Sequence, residues 1–600
     1  VIKTESGGSV SNEILSLIQQ ARDFRVKQER LWMELDYMID GNHSVFYDRV
    51  NDRLRVVPAK SNGARRTINL IRVQDRNVSN FITKNDPAFN VDIVHVTTPT
   101  EEEEEKAEKK SNACQSLLLQ VYRQLEMKYL FKKAVRLGMR RGKSYVQIVW
   151  DPVQDEVGAY VLDPFDVLED PLNGGDIEKG RFVYKECMVS LASLKANPRY
   201  KNLDQLTSDN RFSSSEFRNT YMSSKYSIPT DADHVLLGEF WQKSERVVEK
   251  VEEIENEDGT ISTNRTKERK TFLMCTSLVK NTIIREEEWE YPRYPFKVYY
   301  PEDNMGEVYP RPWLADCLSL NKAIDANYSF IEQYIATCAQ GRYIANENTK
   351  ITSRITGDHG QIVSYSGAIP PQPWSPPPLP YQVIANQIAM TERFMNQIGG
   401  IQSLDISQAL SSKSSGAALS QLQAQQAESV GEPTVNLSRL AEQVFGEFLC
   451  LMTHNYTEPR DVRVDNKDKI EVVKMRGAGG VSDLFSKEDL EQTGEIILDA
   501  KEIKLRIEII PGSAFSDLFA QQRMMELFDK QLVDKETVLE SMKIGRVREI
   551  LDAKEEEEEK EVMKGINQQR MQGMVGEESM LREAANVADM SQVEEEEPTI

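Results

Sequence analysis

The sequence predicts an α+β protein made of a mixed helix-and-sheet body, a protruding two-helix hairpin with an extended tip, and a helical C-terminal part. Three observations carry that prediction. Apolar residues recur at three- and four-residue steps in some stretches and at strict two-residue steps in others, so helix and sheet are both encoded. Residues 313–338 and 380–398 have helical periodicity but few charges. Between them, seven of the eleven residues 370–380 are proline, which forbids helix there and imposes an extended or polyproline path.

The body comes first. In 13–39 the residues Ile14, Leu17, Ile18, Ala21, Phe24, Leu31, Leu35, Met38 and Ile39 form an amphipathic helix pattern that Gly41 ends. A second helix is expected over 68–83 and a short strand after Pro87. Arg65, Arg66, Arg72 and Arg76 make this the most basic local patch, read as a solvated helix face. One long helix is expected from Glu101 to about Leu137, with acids at its start and Lys132, Lys133, Arg136, Arg140 and Arg141 at its end, as a helix dipole favours. Strands are expected at 144–150, 158–162, 181–189, 235–246, 271–285 and 296–300, and the charged stretch 249–270 reads as an exposed hairpin tip or mobile loop.

In the hairpin, Cys317, Leu320, Ile324, Tyr328, Ile331, Ile335 and Cys338 form a stripe at steps of 3, 4, 4, 3, 4 and 3. Only Asp316, Lys322, Asp325 and Glu332 carry charge in that helix, and the opposite face is Asn, Ser, Thr and Gln. A lone surface helix carries a charged face, so this one should pack on more than one side. The returning helix opens at Pro380, places Ile384, Ile388, Met395 and Ile398 on its stripe, carries only Glu392 and Arg393 as charges, and stops at Gly399 and Gly400. Short strands are expected at 342–344 and 361–365. Residues 401–416 are small, polar and flexible, with Lys413 almost the only cation. Helices follow at 417–429 and 435–456, strands at 462–464, 470–475 and 503–510, and helices from Phe515 to about Lys564. Glu555–Glu559 and Glu594–Glu597 are acidic blocks expected to be solvated, and the first dozen residues read as a loose tail without targeting character.

At 600 residues the chain is long enough for three or four units. Its 74 Lys and Arg against 96 Asp and Glu leave a net charge of -22, which excludes a protein gripping nucleic acid over a broad basic face. Six scattered cysteines with no CxxC pair read as reduced and cytosolic, and five dispersed histidines offer no metal-ligand spacing, so neither metal nor cofactor is expected. No run of 18 apolar residues exists to span a bilayer.

Two strings invite a chemical reading. Gly142, Lys143 and Ser144 follow Gly138, but a phosphate loop needs four residues between its glycines rather than three, and it runs from strand into helix rather than helix into strand. The acids of DPFDVLEDP, 163–171, read as a turn rather than a Mg²⁺ site, since such spacings recur by chance among 96 acids.

The succession of parts resembles the portal proteins of tailed bacteriophages. The resemblance covers roughly residues 10–560 and rests on DPFDVLEDP, NKAIDANYSFIEQ, ITGDHGQIVSYSGAIPPQP, the return helix ending IGG, SSGAALSQLQAQQ and an acid-rich helical end. It implies a portal-like fold: a flexible tail at 1–12, a mixed α/β wing at 13–309, stem helices at 310–338 and 380–400, and an extended or β clip at 339–379. A channel loop would span 401–415, the wing would resume at 416–514, helical crown segments would occupy 515–564, and an acidic tail 565–600.

The resemblance further implies a homo-oligomer, usually a dodecamer, forming a ring channel at one capsid vertex of the virion for packaging and ejecting double-stranded DNA. The partners implied are the terminase large subunit, a head-tail adaptor, the major capsid protein and a scaffold protein, with synthesis in the host cytoplasm, no membrane and no enzymatic activity. Its stem contacts would come from Leu320, Ile324, Tyr328, Ile331, Ile335, Ile384, Ile388 and Met395. Its channel loop would present Gln402, Ser407, Ser411, Ser412, Lys413 and Ser414, and its clip would dock through Arg354, His359, Gln361 and Trp374. A ring of twelve would carry on the order of -260 charges, so DNA passing through would meet no sequence-specific grip. The alternatives are another head-tail adaptor or assembly protein, and a Mg-dependent nucleic-acid enzyme, which lacks a glycine loop or carboxylate constellation here.

Overall fold

The structure, a computed structural model, describes residues 10–48, 50, 53–56, 65–93, 101–204, 206–209, 211–226, 233–255, 261–289, 291–339, 342–353, 364–374, 377–400, 428–465, 470–480, 495–509, 524–525, 527–528 and 530. The chain divides into two units, Val1–Gly512 and Ser513–Ile600. The expected crown and acidic tail therefore lie outside the described residues, apart from five positions between 524 and 530.

Helix α1 (Asn12–Ile39) starts where Ser11 accepts a hydrogen bond from the Ile14 amide, an N-cap. It leads to α2 (Leu70–Ile82), and the strand Ala88–Ile93 pairs antiparallel with the distant Ile503–Glu508. The single long helix expected next is two, α3 (Glu101–Gln124) and α4 (Met127–Arg141), separated by Glu126 in a left-handed conformation with φ 48°. The cause is the apolar register. Buried positions run Cys114, Leu118 and Tyr122, then Met127, Phe131 and Ala134, and the five-residue step from 122 to 127 would rotate a straight helix off the core. The acid start and basic end thus belong to different helices.

The strand Ser144–Asp151 lies between Glu156–Leu162 and Phe296–Tyr299 in one antiparallel sheet. A second, five-stranded antiparallel sheet runs Thr282–Trp289, Ile261–Val279, His234–Glu255, Phe182–Ser190 and Val167–Glu169. The strand predicted over 271–285 is broken by a turn at Lys280, φ 54°. Of the two alternatives for 249–270, hairpin and mobile loop, the backbone has the hairpin: the ladder continues from Leu237–Val279 to Glu255–Ile261, with 256–260 outside the described residues. The short helices α5 (Leu191–Ala196) and α6 (Glu216–Lys225) lie in the connection from Phe182–Ser190 to His234–Glu255.

After the hairpin helices α7 (Cys317–Ala339) and α8 (Tyr381–Ile398), α9 (Gly431–Asn455) fills the main core. It starts four residues before the predicted point, because Pro433 sits in its first turn, where the missing N–H has no intrahelical role. The strands Arg460–Asp465 and Ile470–Gly477 appear as expected, joined by the unforeseen parallel strand Ile496–Leu498. The helix expected over 417–429 lies outside the described residues except for its last two positions.

The two chemically suggestive strings are structural. Gly142 is the left-handed C-cap of α4, φ 84°, and a Cβ there would sit 2.1 Å from the Pro310 carbonyl oxygen. Ser144 donates its hydroxyl to the Ala134 carbonyl at 2.8 Å, and Lys143 is wholly buried with its Nζ 2.9 Å from Glu169. Burial pulls the Lys143 pKa down against the pull of Glu169. Every carboxylate of DPFDVLEDP meets a cation: Asp163 faces Arg141 and Arg218, Asp166 faces Arg218, Glu169 faces Lys143, and Asp170 takes a two-pronged bond from Arg181.

Replacing Glu169 with Gln leaves the Lys143 ammonium buried without a counter-charge. We expect a loss of about 3–5 kcal/mol in urea denaturation, and wild-type stability would refute the buried pair.

Candidate functional site

The α7/α8 hairpin carries the candidate site. A 3-10 turn at Trp313–Asp316 delivers the chain into α7, and Leu314, Ala315, Cys317, Leu318, Asn321, Ile324 and Asp325 are buried. Beyond Asp325 the described residues of α7 include no buried one, and its contacts with the body through Ser329 and Glu332 are at the surface. The charges of this helix are not distributed along it. Lys322 pairs with Glu34, Asp325 with His43, and Glu332 with Arg66, which ties all three to the body.

A polar row at Asn321, Asp325, Ser329 and Glu332, spaced 4, 4 and 3, forms the anchor. The fully buried Asn321 accepts from the amides of Leu70 at 3.1 Å and Ile71 at 3.0 Å, and donates to the Ile68 carbonyl at 3.0 Å. Those two amides open α2 and have no acceptor within their own helix, so α7 caps α2 from 250 residues away. Asp325 accepts from the Ile68 amide at 2.8 Å, and Ser329 accepts from the Arg66 amide at 2.9 Å. His43 completes the node. Its Nε2 donates to the Met38 carbonyl at 3.0 Å, while Nδ1 faces both Asp325 and, at 3.2 Å, the Asn321 amide nitrogen.

The foot of α8 is fixed on the same α2. Gln74 donates to Asn396 at 2.6 Å, and Met395 is 1% exposed. A Cβ on Gly399 would sit 2.9 Å from Gln74 Oε1, and Gly400 turns the chain at φ 80° against Trp313, so neither glycine has room for a side chain. At the far end the Tyr334 hydroxyl donates to the Pro377 carbonyl at 2.8 Å. The tip between the helices is two small ladders, Arg342–Ile344 with Gln372–Trp374 and Lys350–Ile351 with Tyr365–Ser366. The proline-rich stretch thus supplies a strand as well as the extended path expected of it.

The residues expected to carry stem contacts separate by exposure. Ile324, Ile384, Ile388 and Met395 are buried within the chain; Leu320, Tyr328 and Ile331 are half-buried; Ile335 is exposed. A second apolar set lies on the outside of the hairpin. Val383, Met390 and Phe394, at steps of 7 and 4, are 66%, 58% and 47% exposed, and Phe330 on α7 is 57% exposed. On a helix, 383, 390 and 394 lie about a third of a turn from 384, 388 and 395, so α8 has two apolar faces and its own chain covers one. Trp374 is exposed in the strand Gln372–Trp374. Arg354, His359 and Gln361, and the loop residues Gln402, Ser407, Ser411, Ser412, Lys413 and Ser414, lie outside the described residues.

Neither the anchor nor the second face was expected from the sequence. The spacing of Asn321, Asp325 and Ser329 was a usable signal for the first, and that of Val383, Met390 and Phe394 for the second. Among the described residues no helix is long and apolar enough to cross a membrane.

A helical hairpin anchored at its base, with few charges along its shaft and an uncovered apolar face, suits assembly with another protein surface. The family model described as phage P22-like portal protein matches residues 54–597, and the chain belongs to that family. It is a capsid-associated phage portal protein. No curated protein matches it.

Substituting Asn321 with Leu strands the buried Ile71 amide and removes one of the two acceptors of the Leu70 amide. We expect a loss of about 2–5 kcal/mol by chemical denaturation, against a change within about 0.5 kcal/mol for Thr337→Ala on the exposed shaft; equal effects would refute the anchor.

Proposed function

We propose that copies of this chain, twelve in number, close into a ring whose stem hairpins wall an axial channel for double-stranded DNA at one capsid vertex. The observation that carries this reading is the second apolar face of α8. Val383, Met390 and Phe394 stand in water in the single chain, on a shaft with few charges, and a neighbouring hairpin of the same kind would remove them from it. Burying three such side chains is worth several kcal/mol per interface, repeated at every subunit boundary. The residues buried inside each hairpin, Ile324, Ile384, Ile388 and Met395, act in this assembly by holding α7 and α8 together, and Ile335 joins the outer contact.

The clip then presents Trp374 with Arg354, His359 and Gln361 to the terminase large subunit during packaging and to the head-tail adaptor afterwards. The segment 401–415, with Lys413, faces the passing DNA. The body meets the major capsid protein and, during assembly, the scaffold protein. The chemistry required is passive, since DNA must slide rather than bind, and a net charge of -22 per copy keeps the channel from gripping phosphate.

Replacing both Val383 and Phe394 with Asp should leave the fold intact, as both side chains are exposed, and should reduce rings to monomers or small oligomers in mass photometry. A variant that still forms full rings would overturn the stem assignment, and a wild-type protein without an axial hole in negative-stain images would overturn the channel. Deleting residues 349–378 should abolish co-purification with the terminase large subunit, and retained binding would remove the clip from that role.

A further inference from the structure

We propose that the surface shared by α2 and α4 binds the phosphate backbone of duplex DNA, at a place separate from the stem hairpin and the 401–415 segment. The fold packs α2 against α4. The buried Asp75 of α2 meets Arg136 and Arg140 of α4, while Thr83 and Lys84 at the other end of α2 share a cleft with Lys128 and Lys132. The cleft is about 560 Å³ and is lined by Lys84, Arg123, Lys128 and Lys132 around Tyr122 and Tyr129, with Glu126 as its one acid.

These cations are not explained by the stability of α4. Lys128 and Lys132 fall in its first half, where the helix dipole disfavours positive charge, and its first turn has no acid. Lys128 reaches Asp86 at 2.9 Å, but among the described residues Arg123, Lys132 and Lys133 have no ion-pair partner. On α4, Lys128, Tyr129, Lys132, Lys133 and Arg136 fall on one side over about 12 Å, and Tyr129 is 69% exposed. A row of that length exceeds a single small anion. Duplex DNA presents one charge per about 1.7 Å of axis, so it engages the row at several points at once, with the Tyr129 hydroxyl available to a phosphate oxygen.

A chain with a net charge of -22 that presents a local cluster of cations attracts a polyanion to that cluster. The choice of DNA as that polyanion rests on the portal reading. On α2 and α4 such a grip holds DNA without lining the path through the stem.

The test uses the full-length ring and a covalently closed DNA minicircle, which has no end to thread into a channel. Fluorescence anisotropy from 50 to 200 mM salt compares wild type with the triple variant Arg123→Gln, Lys128→Gln, Lys132→Gln and with Lys132→Gln alone. We expect wild type to bind with affinity that falls steeply with salt, the triple variant to bind at least tenfold more weakly at 50 mM, and the salt slope to drop by roughly 2 to 3, about 0.9 for each phosphate no longer neutralised. The single variant should show about a third of that drop. Absence of minicircle binding by wild-type rings, or an unchanged affinity and slope in the triple variant, would overturn the proposal while leaving the ring intact as a portal. Unchanged DNA affinity with a shifted ring mass would mark the surface as a protein interface and also overturn it. Failure of wild type to form rings would instead strike the portal reading.

Discussion

The hairpin hangs from one buried amide. Asn321 uses both ends of its side chain on the backbone that opens α2, accepting from two amides and donating to one carbonyl. An amide that is fully removed from water is tolerated only when its bonds are made, and here the partners are backbone groups at a helix start, among them the buried Ile71 amide, which has no acceptor within its own helix. The interaction therefore fixes position as well as energy. Asp325 one turn later and Ser329 another turn on repeat the arrangement along the segment 66–71, and Gln74 of the same α2 holds the foot of α8. Both legs of the hairpin thus stand on one short helix, whose placement sets the direction in which the shaft projects.

That helix is itself held by charge. Asp75 is buried between Arg136 and Arg140, so α2 links the hairpin on one side to α4 on the other. From α4 the chain passes through Gly142 into Lys143, and from Lys143 to Glu169 in the turn-rich segment before the five-stranded sheet. Arg141 meets Asp36 of α1 and Asp163, and Arg25 of α1 donates to the carbonyls of Pro164 and Val167. A continuous series of buried, partnered polar groups therefore runs from the hairpin to the sheet. Apolar packing supplies the bulk of the stability in such a body, while partnered charges confine it to one arrangement because any shift would leave a charge unpaired.

Charge is also segregated by role. The cations and acids of α7 are tied to the body by their partners, and the rest of that helix is neutral. The outer face of α8 is apolar where a neighbour is expected, and the α2/α4 surface concentrates cations in a strongly acidic chain. Each of these surfaces is poorly suited to an isolated subunit, and together they describe a protein whose surface is completed by other molecules.

Periodicity in the sequence determined α1, α2, the two hairpin helices, α9 and most strands, because a repeat of 3.6 or 2 is a local property that survives any packing. The low charge of residues 313–338 and 380–398 was legible in the same way and pointed to assembly. What the tertiary structure decided is where separate segments meet. Glu126 breaks a helix that propensity would continue, because the buried row shifts register between Tyr122 and Met127. Asn321 and His43 are unremarkable polar residues in the sequence, and their importance comes from partners some 250 to 280 positions away. The stripe through Ile324, Ile384 and Met395 was visible, but a single helix pattern does not say which of two apolar faces its own chain will cover; the packing of α7 on α8 chose one and left Val383, Met390 and Phe394 outside. Lys84, Arg123, Lys128 and Lys132 became one cleft only when the end of α2 was laid beside α4, since sequence encodes the direction of each helix face but not the neighbour it will face.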